Sequence, residues 1–188
     1  MRDALLAKLT EIVGAADVLQ ADAAAPYLVE WRGAFSPTAL AVVRPADTAQ
    51  VAAVVTACAE AECAVIAQSG NTGLVGGAAA QDDERHVIVN LERMNRVREV
   101  DADNATITVE AGCILADVQQ AADDAGLFFP LTLASRDRCR IGGNLATNAG
   151  GLNVVRYGNT RDLALGLEVV LADGRIWNNL TGLRKDNS

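Results

Sequence analysis

The sequence has few residues that build metal centres and no blocks of basic charge. His86 is the single histidine, and the four cysteines show no Cys-x-x-Cys pair or other metal-ligand spacing. We therefore expect no zinc site and no disulfide framework, and we predict a reducing compartment, most simply the cytoplasm. The 16 basic residues are spread along the chain and are outnumbered by 24 acidic ones, giving a net charge of −8. This balance argues against binding to nucleic acid or to an anionic membrane.

Long apolar runs are also missing. No window is uncharged over the length that crosses a bilayer, so we predict no membrane insertion. Residues 2–13 place their apolar side chains on one helical face, which predicts an amphipathic helix ending at Gly14 rather than a signal peptide. With 51% hydrophobic residues, the 188-residue chain can form one large domain or two small lobes.

Glycine, in contrast, is concentrated in two places. The first glycine cluster, residues 69–77, reads Ser-Gly-Asn-Thr-Gly-Leu-Val-Gly-Gly and follows an apolar run. Its glycines let backbone N–H groups approach a ligand closely, and successive N–H groups suit a phosphate or pyrophosphate. The spacing matches neither the phosphate loop ending in Gly-Lys-Ser/Thr nor the Gly-x-Gly-x-x-Gly dinucleotide fingerprint. A glycine-rich surface turn remains the alternative.

The first half of the chain predicts a strand–helix–strand unit. Residues 39–44 form an apolar strand, a helix capped near Asp47 follows, and residues 64–67 form a second strand parallel to the first. The first glycine cluster then leaves the carboxyl end of a strand, where ligands bind in open α/β sheets. Residues 81–86 predict a polar turn, and residues 87–91 a third strand.

The second half predicts a lobe of antiparallel strands and a helix. Residues 106–110 alternate polar and apolar side chains, residues 114–125 have helical periodicity ending at Gly126, and Asp173-Gly174 marks a hairpin. The fold class is therefore α+β. We divide the chain into an N-terminal helix and connecting segment (1–36), a first lobe (37–100) and a second lobe (101–188).

The second glycine cluster, residues 142–151, has four glycines together with uncharged donors and acceptors at Asn144, Thr147 and Asn148. We predict a second ligand-contacting loop, so that one long ligand lies in a cleft between the lobes. A tight structural turn is the alternative. In the connecting segment, Trp31 and Phe35, together with Tyr27, are predicted to anchor that segment to the body.

Several motifs occur in a fixed order that resembles a known family. They are Gly-Asn-Thr-Gly-x-x-Gly-Gly at 70–77, Glu-Ala-Gly at 110–112, Ile-Gly-Gly-Asn at 141–144, Thr-Asn-Ala-Gly-Gly at 147–151, Arg-Tyr-Gly at 156–158 and Leu-Arg-Lys-Asp-Asn at 183–187. This order resembles the FAD-linked oxidases, whose fold is that of vanillyl-alcohol oxidase and p-cresol methylhydroxylase (PCMH). The resemblance is strongest to D-2-hydroxyacid dehydrogenases, including D-2-hydroxyglutarate dehydrogenase, D-lactate dehydrogenase and the glycolate oxidase flavin subunit.

The resemblance implies a two-lobed, PCMH-type domain that binds FAD. Asn71 stands where some relatives carry a histidine that attaches the flavin, so non-covalent FAD is expected. The pyrophosphate would lie on the first glycine cluster, the flavin and ribityl chain along the second, and the adenine near β-strand residue 169. The implied cofactor-binding residues are Ser69, Gly70, Asn71, Thr72, Gly73, Gly76, Gly77, Pro130, Gly142, Gly143, Asn144, Thr147, Asn148, Gly150, Gly151 and Val169.

The sequence lacks the later motifs of this family. It has no Gly-Ser-Glu-Gly-Thr-Leu-Gly segment and no substrate domain with its metal site and catalytic base. We therefore interpret the chain as a truncated FAD-binding portion that is inactive alone and holds FAD poorly. The parent protein is expected to oxidise a small D-2-hydroxy acid to the 2-oxo acid.

The alternatives are a non-catalytic flavin-binding module and a subunit of a multi-chain oxidase, and homodimerisation is left open. A phosphate-loop nucleotide hydrolase is disfavoured because Gly-Lys-Ser/Thr is missing. The catalytic residues are not assigned. Five arginines could reach a substrate carboxylate but are more plausible as surface ion pairs. They are Arg136, Arg138, Arg140, Arg156 and Arg161.

Overall fold

Residues 2–182, the part of the chain that the computed structural model describes, combine a largely parallel sheet with antiparallel strand pairs. This mixture confirms the predicted fold class. The predicted motif at residues 183–187 lies outside the described residues. The strands are β1 (Val18–Leu19), β2 (Thr38–Val43), β3 (Ala64–Gln68), β4 (Gln81–Asn90), β5 (Val97–Asp101), β6 (Thr106–Val109), β7 (Leu167–Val170) and β8 (Ile176–Asn179). The α-helices are α1 (Arg2–Val13), α2 (Thr48–Glu60), α3 (Leu115–Asp124), α4 (Ile141–Ala146) and α5 (Val154–Tyr157).

The first sheet has the strand order β1-β2-β4-β3. Strands β2 and β3 run parallel, as predicted, but β4 lies between them and pairs with both. They are therefore not neighbours. The reason is the composition of β4, in which Val87, Ile88 and Val89 are buried and fill the centre of the sheet.

The predicted polar turn at residues 81–86 is wrong, because these residues begin β4. The pairing passes from Ala39 opposite Asp82 directly to Ala41 opposite Val87, so β4 bulges between its two paired stretches. Within the bulge, the Asp82 carboxylate accepts the N–H of Arg85 at 3.0 Å. His86 accepts the N–H of Gln81 at 3.0 Å through Nδ1 and is half-buried, so it is not a solvated loop residue.

Helices α1 and α2 cover one face of this sheet. Leu9 of α1 and Val54 and Cys58 of α2 are fully buried there against Val87. Helix α2 starts as predicted, because Asp47 Oδ1 accepts the N–H of Gln50 at 2.8 Å. The reciprocal bond of a capping box is displaced by one residue, since the Gln50 side chain accepts from the N–H of residue 46.

The second half contains two antiparallel pairs, β5 with β6 and β7 with β8. Helix α3 ends before Gly126, which has φ +72°, and Gly174 with φ +81° turns the β7–β8 hairpin. Strand β5 crosses the predicted boundary between residues 100 and 101, and the division into lobes remains a prediction. The hairpin is tied to α2 and β5, because Glu168 accepts from Thr48 Oγ1 at 2.5 Å and from Arg98 Nη2 at 3.1 Å.

None of the helices within residues 2–182 has the length and apolarity needed to cross a bilayer. Over the same residues, no three His, Cys, Asp or Glu side chains are grouped so as to hold a metal ion.

Candidate functional site

The first glycine cluster begins at the carboxyl end of β3, on a buried pair of amide side chains. Gln68 and Asn90, each 2% exposed, end β3 and β4 side by side. Asn90 Nδ2 donates to Gln68 Oε1 at 2.9 Å and to the carbonyl of Ser69 at 3.4 Å. Gln68 Nε2 in turn donates to the carbonyl of Tyr27 at 2.9 Å. Because buried amides must be satisfied, this network fixes where the cluster starts.

The glycines of the first cluster have two different roles. A Cβ at Gly70 would lie 2.7 Å from the carbonyl oxygen of Arg138, and a Cβ at Gly76 would lie 2.5 Å from the Phe35 ring. These two glycines are therefore required by the protein's own packing. Around Gly73 and Gly77 a Cβ would meet nothing within 4 Å. Gly73 and Gly77 therefore leave backbone exposed with no side chain covering it.

The backbone N–H groups of this cluster are available to a ligand. Across residues 2–182, no backbone or side-chain acceptor takes an N–H from residues 70–77. Asn71 has φ +47°, a left-handed conformation that turns successive peptides in different directions. Consecutive N–H groups arranged in this way form an anion-binding concavity.

The second glycine cluster is partly helical, which corrects the prediction of a loop. Residues 141–146 form α4, with Gly142 and Gly143 inside it. The helix is tolerated because Gly142 packs against a neighbouring strand end, where its Cβ would lie 2.8 Å from that of Ala111. Asn144 is buried, and its Nδ2 lies 3.5 Å from Cys139 Sγ. It therefore faces the protein interior.

The rest of the second cluster is a turn that follows α4. Asn148 has φ +49° and its Oδ1 accepts the N–H of Arg161 at 3.0 Å, while Thr147 Oγ1 donates back to the carbonyl of Gly143 at 2.9 Å. At Gly151 a Cβ would lie 2.2 Å from a backbone carbonyl oxygen. A groove of about 380 Å³ opens beside it, lined by Thr132, Leu133, Ala134, Gly151 and Leu152.

The two clusters adjoin. Ser69 Oγ donates to the carbonyl of Ala111 at 3.0 Å, and a Cβ at Gly143 would lie 3.7 Å from Ser69 Cβ. Gly70 lies against the backbone of residues 138–140, immediately before α4. The start of the first cluster therefore lies directly against α4 and the residues that precede it.

Two predicted site residues lie outside the glycine clusters, one of them close to the second cluster and the other not. Pro130 is near the second cluster's groove, and its carbonyl accepts from Asn153 Nδ2 at 3.0 Å. Val169 lies on β7 opposite Trp177, in the hairpin that contacts the N-terminus of α2. It belongs to a different element from the two clusters.

Aromatic residues of the connecting segment contact the first cluster, although the predicted site did not include them. Trp31 Nε1 donates to the carbonyl of Asn71 at 2.5 Å, and Asn71 Nδ2 donates to the carbonyl of Val29 at 3.0 Å. Phe35 lies against Gly76. The sequence predicted that these aromatic residues anchor the segment, but nothing in their spacing indicated which loop they would contact.

A buried carboxylate supports the segment that links the clusters. Glu110, just before Ala111, is 2% exposed and accepts from Arg96 Nη2 at 2.9 Å and from Arg98 Nε at 3.4 Å. Burial raises the pKa of this carboxyl, but the hydrogen bonds and charge of Arg96, with the charge of Arg98, outweigh burial, and the net pKa is lowered. Glu110 is therefore a structural anion.

The arginines predicted as surface ion pairs have mixed roles. Arg136 does pair with Asp137, at 3.4 Å. Arg161 instead donates to the carbonyl of Leu145 at 3.0 Å, at the end of α4, and Arg138 lies over an aromatic ring. Arginine fits these positions because its planar group both bonds carbonyls and stacks.

A sequence profile of the family described as FAD binding domain matches residues 39–179. The chain belongs to this family of FAD binding domains. FAD is therefore the cofactor of the domain, and the resemblance to FAD-linked oxidases is confirmed.

Three known proteins are similar to this FAD binding domain. The probable mitochondrial D-2-hydroxyglutarate dehydrogenase of Oryza sativa subsp. indica is 42% identical over 160 residues, covering 85% of this chain and 28% of the relative. The mitochondrial D-2-hydroxyglutarate dehydrogenase of Bos taurus is 40% identical over 183 residues, covering 97% of this chain and 33% of the relative. The crystal structure of p-cresol methylhydroxylase with substrate bound superposes with a TM-score of 0.76 at 26% identity, covering 98% of this chain and 36% of that one. This likeness confirms the predicted fold.

The chain thus spans about a third of the length of the curated relatives it matches. The predicted cytoplasmic location is wrong, because the rice and cattle relatives are both named as mitochondrial proteins.

The residues of the two clusters fit an FAD molecule. Gly73 and Gly77 leave room beside N–H groups that the rest of the described chain does not use, as a pyrophosphate requires. The second cluster adds an apolar groove next to uncharged polar groups. Such a surface suits a flavin ring and its ribityl chain.

Proposed function

We propose that the two glycine clusters together hold one FAD molecule. The pyrophosphate lies on residues 69–77, and the flavin and ribityl chain lie along Pro130 and residues 142–151. The adjacency of the clusters carries this proposal. Gly143 of the second cluster lies against Ser69 of the first, and Gly70 of the first lies against residues 138–140, immediately before α4. Val169 is proposed for the adenine end on the resemblance alone.

The FAD is proposed to bind without a covalent link to the chain. By the family resemblance, Asn71 stands where some relatives attach flavin through a histidine. His86 pairs with Ala64, the first residue of β3, whereas the first cluster follows the last residue. At about 3.3 Å per residue, the five steps from Ala64 to Ser69 place His86 about 17 Å from the start of the cluster along the strand.

We further propose that the full-length protein oxidises a D-2-hydroxy acid to the corresponding 2-oxo acid. The names of the rice and cattle relatives make D-2-hydroxyglutarate the first substrate to test, with D-lactate and glycolate as further candidates. When bound, FAD supplies the two-electron oxidant for this reaction. The role of the present residues is to bind the cofactor and to orient it.

A non-catalytic flavin-binding module, or a subunit of a multi-chain oxidase, is the second candidate. The chain matches only 28% to 33% of the length of these relatives, so oxidation of the acid is a proposal for the whole protein. A homodimer is proposed for either case, and size-exclusion chromatography with light scattering tests it.

The decisive experiment is a visible spectrum of the purified protein followed by a substrate assay. Flavin absorption that acid precipitation releases into the supernatant supports non-covalent FAD, whereas flavin left in the pellet contradicts it. Reduction of an artificial acceptor by D-2-hydroxyglutarate, but not by its L-enantiomer, supports the dehydrogenase. A yellow full-length protein that oxidises none of the three acids supports the non-catalytic module. A chain ending at Ser188 is expected to hold FAD poorly.

A further inference from the structure

A short segment before β2 contacts the first glycine cluster at two points and the residue before the cluster at a third. We call residues 27–35 the strap. The carbonyl of Tyr27 accepts from Gln68 at the start of the cluster, and Phe35 lies against Gly76 near its end. In the middle, Trp31 and Asn71 are joined by the indole bond to the Asn71 carbonyl. The strap therefore follows the cluster along its length.

The Trp31–Asn71 contact holds the least favourable residue of the cluster. Asn71 has φ +47°, a conformation that costs free energy for any residue with a Cβ. Its carbonyl accepts from Trp31 Nε1 at 2.5 Å and its side-chain amide donates to the strap carbonyl of Val29 at 3.0 Å. Bonds on both the backbone and the side chain fix the direction of the following N–H groups.

Trp31 also connects the strap to the approach of the second cluster. The guanidinium carbon of Arg138 lies 5.1 Å from the centre of the Trp31 ring, within cation–π range. The carbonyl of the same Arg138 is the group that a Cβ at Gly70 would meet. Trp31 therefore contacts Asn71 of the first cluster and Arg138 just before α4, where the two clusters adjoin.

Burial does not account for these contacts. Trp31 is 49% exposed and Phe35 43% exposed, so neither contributes much to the core. The strap is braced internally instead, because the Glu30 carboxylate accepts from the N–H of Ala34 at 2.7 Å. A half-exposed tryptophan with a donor bonded to a strained loop residue is suited to positioning that loop.

We propose that the strap, through Trp31, holds the first glycine cluster in its anion-binding conformation and so raises FAD affinity. Trp31 is thus a positioning residue. The inference rests on the proposed binding of the FAD pyrophosphate by this cluster. Pre-organising a loop lowers the free-energy cost of ordering it on binding.

The test is an FAD titration of the apoprotein at its full natural length, followed by flavin fluorescence. Trp31→Phe keeps an aromatic ring and removes the N–H donor, and it should raise the Kd for FAD about fivefold, the effect of one hydrogen bond. Trp31→Ala also removes the ring under Arg138 and should raise the Kd about 20-fold. The melting temperature of the Trp31→Phe apoprotein should fall by no more than about 4 °C, the effect of losing one hydrogen bond.

Val29→Ala is the matched control, because its side chain is exposed in the same strap while its carbonyl bond is retained. Gly73→Val, which adds a side chain to the cluster itself, is the positive control for loss of FAD binding. If Gly73→Val weakens binding and Trp31→Phe does not, the strap inference fails alone. If neither does, the proposed pyrophosphate site fails as well. A drop in the melting temperature of the Trp31→Phe apoprotein that is larger than about 4 °C would assign Trp31 a role in folding and overturn the inference.

Discussion

Replacing Gly73 by valine separates ligand contact from protein packing in the first glycine cluster. A Cβ at Gly73 meets no protein atom within 4 Å, and its φ lies outside the left-handed range. The substitution should therefore leave the fold intact, and it restricts the unfolded chain, which favours the native state by about 0.4–1 kcal/mol when no strain results. The added side chain would instead occupy the open surface on which we propose that the pyrophosphate binds.

The expected loss of FAD affinity follows from the hydrogen bonds that valine prevents. A hydrogen bond to a charged group contributes about 1.5–3 kcal/mol, so loss of one such bond raises the Kd about 10- to 100-fold. Titration of the apoprotein with FAD measures this change, and thermal denaturation of the same apoprotein measures stability.

Gly70→Ala is the contrasting variant. Its Cβ would lie 2.7 Å from the carbonyl oxygen of Arg138 and 2.9 Å from the N of Arg140. Because both contacts are with backbone, the substitution should cost about 1–3 kcal/mol of stability. Unchanged FAD affinity in Gly73→Val, or an equal loss of stability in the two variants, would refute the distinction between open and packed glycines.

Three further predictions concern stability. Glu110→Gln should lower the free energy of unfolding, measured by urea denaturation at pH 7, by about 2 kcal/mol. This is less than the loss on breaking a fully buried ion pair, because Arg96 stays solvated. Since the pKa of Glu110 is lowered in the fold, its contribution is present above about pH 4.3 and disappears as pH falls through the folded pKa. The difference in the free energy of unfolding between Glu110→Gln and wild type should therefore shrink in acid. A difference that does not change with pH would contradict this role of Glu110. Leu9→Ala should cost about 3 kcal/mol by opening a cavity, lowering the melting temperature by about 6–12 °C; no shift would place Leu9 outside the core. Asp47→Ala should cost about 1 kcal/mol through loss of the Gln50 cap, with FAD affinity unchanged.

The elements with a strong local pattern could be predicted from the sequence. Asp47 and the apolar spacing after it identify α2, and Asp173-Gly174 identifies the β7–β8 hairpin. Local chemistry determines these elements, so a short window of sequence contains the necessary information.

Features that depend on distant contacts could not be predicted in this way. Residues 81–86 are polar and lack periodicity, and they pair with β2 only because the apolar residues after them occupy the centre of the sheet. Gly142 and Gly143 are poor helix formers, yet both lie in α4, where Ala111 leaves no room for a side chain at Gly142. The predicted site lacked Trp31 for a similar reason, since its partner Asn71 is 40 residues away.

The contact between Gly70 and residues 138–140 joins main chain to main chain. The spacing of the two clusters is therefore set by atoms that every amino acid has in common, and exchanging surface side chains cannot tune it. A change in the distance between the two clusters would need insertions or deletions on either side of this contact. Point substitutions can alter only the side chains around it.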